Sequence, residues 1–310
     1  MNEQKPGDGI LASGLERRKI EALLRDAEPK RMAALSASIN LVAAVALVFG
    51  GKALLDGRLV QVSIAVVIAM VLWRTCNRLW RSLAIAAIAP AIGQNWGQTG
   101  FSSGWGAVPV ETRIGDLFSN EGGARFTAWQ SQGVYRGISY RLRENTIWYK
   151  RRYHQRRTVT HTLQIEISVP QPFSGSIEIC PALGFMGKVD DVLRDLMQEN
   201  KRKIPLDPTF DAVFDTIASA GAPADKLLTP EFRRAMLALA ARHPRLHLEG
   251  KFEHGWFSLR LPVPHLVFSS ASLRKPLPEM VEDADRLWWD LTVPHRLIEG
   301  LAGEHDGPLR

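Results

Sequence analysis

The fold is decided by residues 33–51, AALSASINLVAAVALVFGG, a run of nineteen residues without a charge. At about 1.5 Å of rise per residue it predicts about 28 Å of helix, close to the thickness of the bilayer hydrocarbon. A second uncharged run, residues 59–73 (LVQVSIAVVIAMVLW), predicts about 22 Å of helix. A helical hairpin buried in a soluble core is the alternative, but it requires a polar stripe at helical spacing. Because both runs are apolar on nearly all sides, we predict a transmembrane helical hairpin over residues 33–74.

The charges that flank these runs predict how the hairpin is oriented. Seven Lys and Arg residues precede the first run, and Arg74, Arg78 and Arg81 follow the second. The connection between the runs, residues 52–58, carries only two basic residues. The positive-inside rule therefore places both termini in the cytoplasm.

The remaining chain divides into four segments on either side of this hairpin. Residues 1–32 are predicted to be a cytoplasmic N-terminal segment with a short amphipathic helix that Pro29 breaks or kinks. Residues 75–115 are predicted to be a juxtamembrane helix and a linker rich in Gly, Ser and Trp. Residues 116–303 form a cytoplasmic domain, and residues 304–310 form a tail. Whether residues 79–92 insert into the membrane is left open, because that run is short for a third span.

The cytoplasmic domain shows both strand and helix patterns, so its fold class is predicted to be α+β. Residues 161–168 (HTLQIEIS) alternate apolar and polar side chains, which is typical of a half-buried antiparallel strand. Further strands are predicted at residues 124–130, 133–141, 146–153 and 174–179, and a hairpin turn at residues 254–255. The architecture expected is antiparallel β-strands with packed helices.

Three helical patterns complete this domain. Residues 189–197 place apolar side chains on one face, and Thr229-Pro230-Glu231 is a helix start with an N-cap, a first-position proline and an acidic first turn. The region after about residue 279 is predicted to form two helices that separate near residues 292–294, where Pro294 lies.

Three segments of the domain resemble a known family. They are residues 173–175 (FSG), 206–214 (LDPTFDAVF) and 224–232 (ADKLLTPEF). On these residues the chain resembles the domain-of-unknown-function 3137 family of bacterial membrane proteins, from the second apolar run to about residue 300. The long C-terminal tail and the basic strand region depart from that pattern. The resemblance implies a membrane pair before the domain and a place in the bacterial inner (plasma) membrane, but no reaction, cofactor or site.

One stretch of the domain is strongly basic, in a chain whose formal net charge is +7. Its cationic residues, interleaved with aromatic ones, are Arg141, Arg143, Lys150, Arg151, Arg152, Arg156 and Arg157. They are interpreted as a surface that contacts anionic lipid headgroups. The alternatives are a solvated hairpin with charged edges, or a surface that binds an acidic protein or nucleic acid, of which nucleic acid is the less favoured partner.

No catalytic, cofactor-binding or metal-binding residue is predicted. The histidines lack metal-ligand spacing, and no phosphate-binding glycine loop or nucleophile motif occurs. The carboxylates Asp207, Asp211 and Asp215 are explained by turns and helix surfaces. We therefore predict a membrane-anchored interaction module that binds a protein partner or the anionic inner leaflet. The alternatives are a subunit of a membrane transport or envelope complex, a homo-oligomer, or a membrane-bound enzyme of unrecognised type.

Overall fold

The computed structural model describes residues 14–93, 98–103, 123–150, 157–182, 201–242 and 248–303. Their fold is α+β, as the sequence predicted. The chain forms two compact units. The first comprises Met1–Gly93 and Val267–Trp289, and the second comprises Gln94–Leu266 and Asp290–Arg310. Residues 267–289 therefore belong with the N-terminal helices, although the sequence pattern grouped them with the strands.

Two long helices dominate the first unit. Helix α1 (Gly14–Val45) continues into a π-helical segment (Ala46–Gly51) and the short helix α2 (Lys52–Leu55). A turn at residues 56–58, where Gly57 has a φ of 68°, leads into helix α3 (Leu59–Gly93). Both long helices are long and apolar enough to cross a membrane.

Helix α1 continues through Pro29, so of the two expected effects of this proline, a break or a kink, the break is wrong. Proline in a helix interior costs about 3 kcal/mol. Here Ile20, Leu24 and Ala27 are buried before Pro29, and Arg31 is buried after it. Packing on both sides of the proline offsets the local cost, so the helix remains continuous.

Helix α3 joins the second apolar run and residues 79–92 into one element of 35 residues. Its second half buries one stripe of side chains at helical spacing, which includes Trp80, Ala84, Ile88 and Ile92. The juxtamembrane segment is thus a direct extension of the apolar helix, with no break between the two.

The second unit is built on one antiparallel sheet. In the described part of the chain it has nine strands in the order β1-β2-β3-β4-β9-β8-β5-β7-β6. The strands are β1 (Gln98–Ser103), β2 (Gly123–Tyr135), β3 (Ile138–Lys150), β4 (Arg157–Ser168), β5 (Ile177–Pro181), β6 (Lys201–Lys203), β7 (Phe214–Ser219), β8 (Glu249–Glu253) and β9 (Trp256–Val263). Every pairing within the sheet is antiparallel.

The core of the second unit lies on one face of this sheet. The alternation predicted for β4 is confirmed, because Leu163, Ile165 and Ile167 are fully buried. They pair with the buried Leu261, Leu259 and Phe257 of β9, so the apolar face continues across the strands.

The remaining helices of the described residues are short, except for α6 and α7. They are α4 (Pro208–Asp211), α5 (Ala224–Leu227), α6 (Pro230–Arg242), a 3-10 turn (Leu277–Met280) and α7 (Val281–Ala302). The predicted start of α6 is confirmed, because Thr229 Oγ1 accepts a hydrogen bond from Phe232 N at 3.1 Å. The predicted helix at residues 189–197 lies outside the described residues.

Helix α7 runs through Pro294, so the separation into two helices near residues 292–294 is wrong. The side chains around this proline, Leu291, Val293 and Leu297, are fully buried. As at Pro29, core packing on both sides outweighs the missing backbone hydrogen bond.

The turn between β2 and β3 falls at Arg136 and Gly137, which both have positive φ (50° and 78°). The sequence placed a strand across these positions and a break near residues 131–132. Two consecutive residues with positive φ form the two-residue turn that suits a β-hairpin, a role usually taken by Asn-Gly. The hairpin turn predicted at residues 254–255 is confirmed, with φ values of 51° and 78°.

Candidate functional site

The largest exposed apolar surface belongs to the helical hairpin. Among the described residues, all exposed large apolar side chains lie between Met32 and Leu83, apart from Val134 and Val213. In each long helix only 6% of the most apolar window of 18 residues is buried inside the protein. An isolated apolar patch of this extent is unusual for a water-soluble surface, so it marks a surface with another neighbour.

A groove of about 1060 Å³ runs along the hairpin. One wall comes from α1, the π-helical segment and α2, and the other from α3, with Arg74 and Arg274 at its base. Small residues keep the helices close, since a Cβ at Gly50 would lie 3.5 Å from the Ala65 Cβ. The small and apolar residues that line it include Ala43, Ala46, Gly51, Val62, Ala69 and Met70.

The base of the hairpin is held to residues 271–277 by polar contacts. Arg31 is buried, and its Nε donates to Glu28 Oε1 at 2.9 Å while Nη1 donates to the carbonyl of Leu273. The second oxygen of Glu28 accepts from Leu277 N at 2.9 Å. The hydrogen bond from Arg31 lowers the pKa of Glu28; burial opposes this shift, and the Leu277 amide and the Arg31 charge reinforce it.

Side chains of helix α3 also form hydrogen bonds with this segment, residues 271–277. Leu273 N donates to Asn77 Oδ1 at 3.0 Å, and Arg81 Nε donates to the carbonyl of Ala271 at 3.0 Å. Two of the cationic groups at the base, Arg31 and Arg81, are therefore engaged in holding the structure together.

The structure brings together only part of the predicted anionic-surface contact. Arg141 and Arg143 alternate along β3, and Lys150 pairs with Arg157 across the β3–β4 ladder. Arg151, Arg152 and Arg156 lie outside the described residues. The interpretation of all seven residues as a lipid-contact surface stays a prediction.

The sheet face that carries Arg141 and Arg143 holds paired charges. Arg143 lies 3.5 Å from Glu166, and the Arg141 guanidinium lies 5.2 Å from the centre of the Trp256 ring. Farther along the sheet, Arg260 pairs with Glu249 and Lys201 pairs with Glu178. Arg260 and Glu249 form an exposed pair, which contributes about 0–1 kcal/mol, whereas the Arg143–Glu166 and Lys201–Glu178 pairs are partly buried.

A buried polar cluster, which the sequence did not predict, joins α7 to the β2–β3 hairpin. The His295 ring stacks on Tyr135 with centres 4.0 Å apart, and its Nε2 lies 3.3 Å from the Tyr140 hydroxyl. Tyr135 donates to Glu299 Oε1 at 2.7 Å. Burial raises the pKa of Tyr140 to about 12 and, together with Glu299, raises that of Tyr135. Both phenols therefore stay protonated at neutral pH. Tyr135 donates to Glu299, whereas the direction of the hydrogen bond between Tyr140 and His295 depends on the histidine tautomer.

The carboxylates considered as candidate acids have structural partners. Asp207 caps α4 by accepting from Phe210 N at 2.9 Å, and Asp211 accepts from Leu206 N at 3.1 Å. Asp215 pairs with Lys203 at 2.7 Å. Within the described ranges, no group of three or more His, Cys, Asp or Glu residues could hold a metal ion.

The fold and this surface define a class: an α+β protein whose described residues form a nine-stranded antiparallel sheet and two N-terminal helices long and apolar enough to cross a membrane. No family model, no curated protein and no solved structure matches the chain.

Proposed function

We propose that this chain is an integral membrane protein whose hairpin crosses the bilayer and whose sheet unit is a cytoplasmic interaction module. One observation supports the proposal most strongly: large apolar side chains are exposed along the hairpin. Leu47, Leu55, Leu59 and Val60 are each between 73% and 90% exposed. In water each would cost about 1.5–3 kcal/mol relative to burial, whereas lipid solvates them at no such cost.

The proposed orientation rests on the basic residues that flank the helices. Arg74 and Arg78 are exposed on α3 beyond the apolar run, and only Lys52 and Arg58 flank the hairpin turn. With the positive-inside rule, this asymmetry supports cytoplasmic termini and a place in the bacterial inner membrane. The resemblance to the domain-of-unknown-function 3137 family is consistent with that order of elements and remains part of the proposal.

The module is proposed to bind a protein partner or the anionic inner leaflet, with no chemistry of its own. The basic β3–β4 region supports a lipid contact, because each cationic residue near an anionic surface contributes about 1 kcal/mol. A subunit role in a transport or envelope complex is the second candidate. The small residues Ala43, Gly50 and Ala69 favour it, because such residues allow a further helix to approach closely.

Two measurements on the full-length chain test the anchor and its orientation. The protein is expected to remain in the membrane pellet after an alkaline carbonate wash. A reporter that is active only in the cytoplasm is expected to be active when fused to the C-terminus. Release of the chain by carbonate contradicts the anchor, and a reporter active only outside the cell contradicts the orientation.

The lipid contact is tested with the full-length protein in nanodiscs of phosphatidylcholine with or without phosphatidylglycerol. Hydrogen exchange in β3 and β4 is expected to slow when phosphatidylglycerol is present. Replacing Arg151, Arg152, Arg156 and Arg157 with Gln is expected to remove that difference. Equal exchange in both lipids would leave a protein partner as the proposed ligand of the module.

A further inference from the structure

The groove along the hairpin is apolar over its length and positively charged at one end. Its walls run from the level of Leu54 and Val62 near the turn to Trp73 and Arg74 at the base. From Val62 to Arg74, α3 rises by about 18 Å. One leaflet of the bilayer hydrocarbon is about 15 Å thick, so the groove matches the reach of one layer of acyl chains.

The two arginines at the base are available to a ligand. Arg74 and Arg274 are both exposed, and among the described residues neither lies within salt-bridge distance of a carboxylate. The Arg274 guanidinium lies 5.0 Å from the centre of the Trp73 ring, a stacking contact that fixes its position while leaving its N–H donors available. The base therefore presents two cationic donors beside an apolar channel.

We propose that this groove binds one anionic glycerophospholipid, with acyl chains along the helices and the headgroup phosphate between Arg74 and Arg274. Basic pockets between membrane helices bind anionic headgroups in this manner, and arginine matches the geometry of phosphate. The charge at the base selects an amphiphile with an anionic head. An uncharged helix supplies no anion, and the carboxylate of a second hairpin, Asp56, lies in the turn at the opposite end. The inference rests on the proposed membrane anchorage but names a specific ligand.

The test is native mass spectrometry of the full-length protein in mild detergent, titrated with phosphatidylglycerol or phosphatidylcholine. The wild-type protein is expected to bind one phosphatidylglycerol about tenfold more tightly than phosphatidylcholine, because two cationic groups meet its net charge. The double variant Arg74→Gln, Arg274→Gln is expected to lose this preference. The control Arg58→Gln, Arg78→Gln removes the same charge from exposed positions outside the groove and is expected to retain it.

A second pair of variants tests the apolar channel. Ala43 and Ala44 are both exposed, but only Ala43 lines the groove. Ala43→Phe is expected to weaken binding of both lipids, and Ala44→Phe to weaken neither.

Equal affinity of the wild-type protein for the two lipids would overturn the proposal. A loss of dimer on Ala43→Phe with unchanged lipid binding would also overturn it and assign the groove to a second copy. None of these results depends on carbonate extraction, so failure of the lipid site and failure of the anchor are distinguishable.

Discussion

Phe49 in the hairpin is 59% exposed, whereas Phe257 in the sheet is fully buried. Leucine shows the same contrast, since Leu47 in the hairpin is 73% exposed and Leu259 in the sheet is fully buried. In the sheet unit, apolar side chains find partners across strands and from α6, where Phe232 meets Phe257 edge to face at 5.1 Å. In the hairpin they point away from the protein. The comparison teaches that the sheet unit buries its apolar side chains within the protein, whereas those of the hairpin need another neighbour, which we propose to be lipid.

The largest expected effect is the difference in stability between the alanine variants of these two phenylalanines. Phe257→Ala is expected to lower the free energy of unfolding of the sheet unit by about 3–5 kcal/mol, because it leaves a cavity against Phe232 and Phe252. Phe49→Ala is expected to change it by less than about 0.5 kcal/mol. Hydrogen exchange of β8 and β9 in the full-length protein under urea measures both. An equal decrease in the free energy of unfolding for the two variants would contradict the difference expected between the hairpin and the sheet core.

A second comparison of the hairpin and the sheet unit places one charged residue at an exposed position of each. Val67 and Val134 are similarly exposed, at 53% and 48%. Val67→Asp is expected to cost about 2.5–3.5 kcal/mol of membrane insertion, because the carboxylate would face hydrocarbon. Val134→Asp is expected to stay within about 0.5 kcal/mol of wild type, as for an ordinary surface in water. The measurement is the fraction of each variant that remains in the membrane pellet after an alkaline carbonate wash. Indistinguishable behaviour of the two variants would mean that α3 is surrounded by water.

The smallest effect concerns the pH dependence of the hairpin base. Because the pKa of Glu28 is lowered in the folded protein, its contribution to stability is complete above its ordinary value of 4.5. It is lost as the pH falls through the lowered folded value. Exchange of the Leu277 amide, corrected for its intrinsic rate, is expected to accelerate only in acid.

Two variants control for this effect. Glu28→Gln is expected to make the exchange of the Leu277 amide nearly independent of pH below 4.5. Glu253→Gln is the matched control in the sheet unit, where Lys251 lowers the pKa of a more exposed carboxyl. It is expected to leave Leu277 unchanged. A pH dependence that survives Glu28→Gln would assign the effect to another group.

The features that the sequence predicted are those governed by local patterns. The alternation in β4, the cap at Thr229 and the turn at residues 254–255 each depend on a few neighbouring residues, and all three appear in the structure. The two apolar helices also follow from an uninterrupted local property.

The features that the sequence did not predict depend on contacts between residues that lie far apart in the chain. Local rules end a helix at Pro29 or Pro294, but long-range packing keeps both helices intact. Tyr135 and Glu299 are 164 residues apart, so no spacing could reveal their hydrogen bond. Likewise, Leu273 and Leu277 hydrogen-bond through their backbone amides to Asn77 and Glu28, which lie 196 and 249 residues away in the chain.

Helix α3 has a mechanical consequence. Its 35 residues rise about 52 Å, about 20 Å more than the hydrocarbon it is proposed to cross. No glycine or proline interrupts it before Pro90, so in the proposed membrane arrangement it would pivot as one stiff rod at the lipid boundary. A change in tilt of about 20°, within the range common for membrane helices, would swing the far end sideways by about 7 Å. That far part of the helix carries the buried Ile88 and Ile92, so in the proposed arrangement such a tilt would strain their packing.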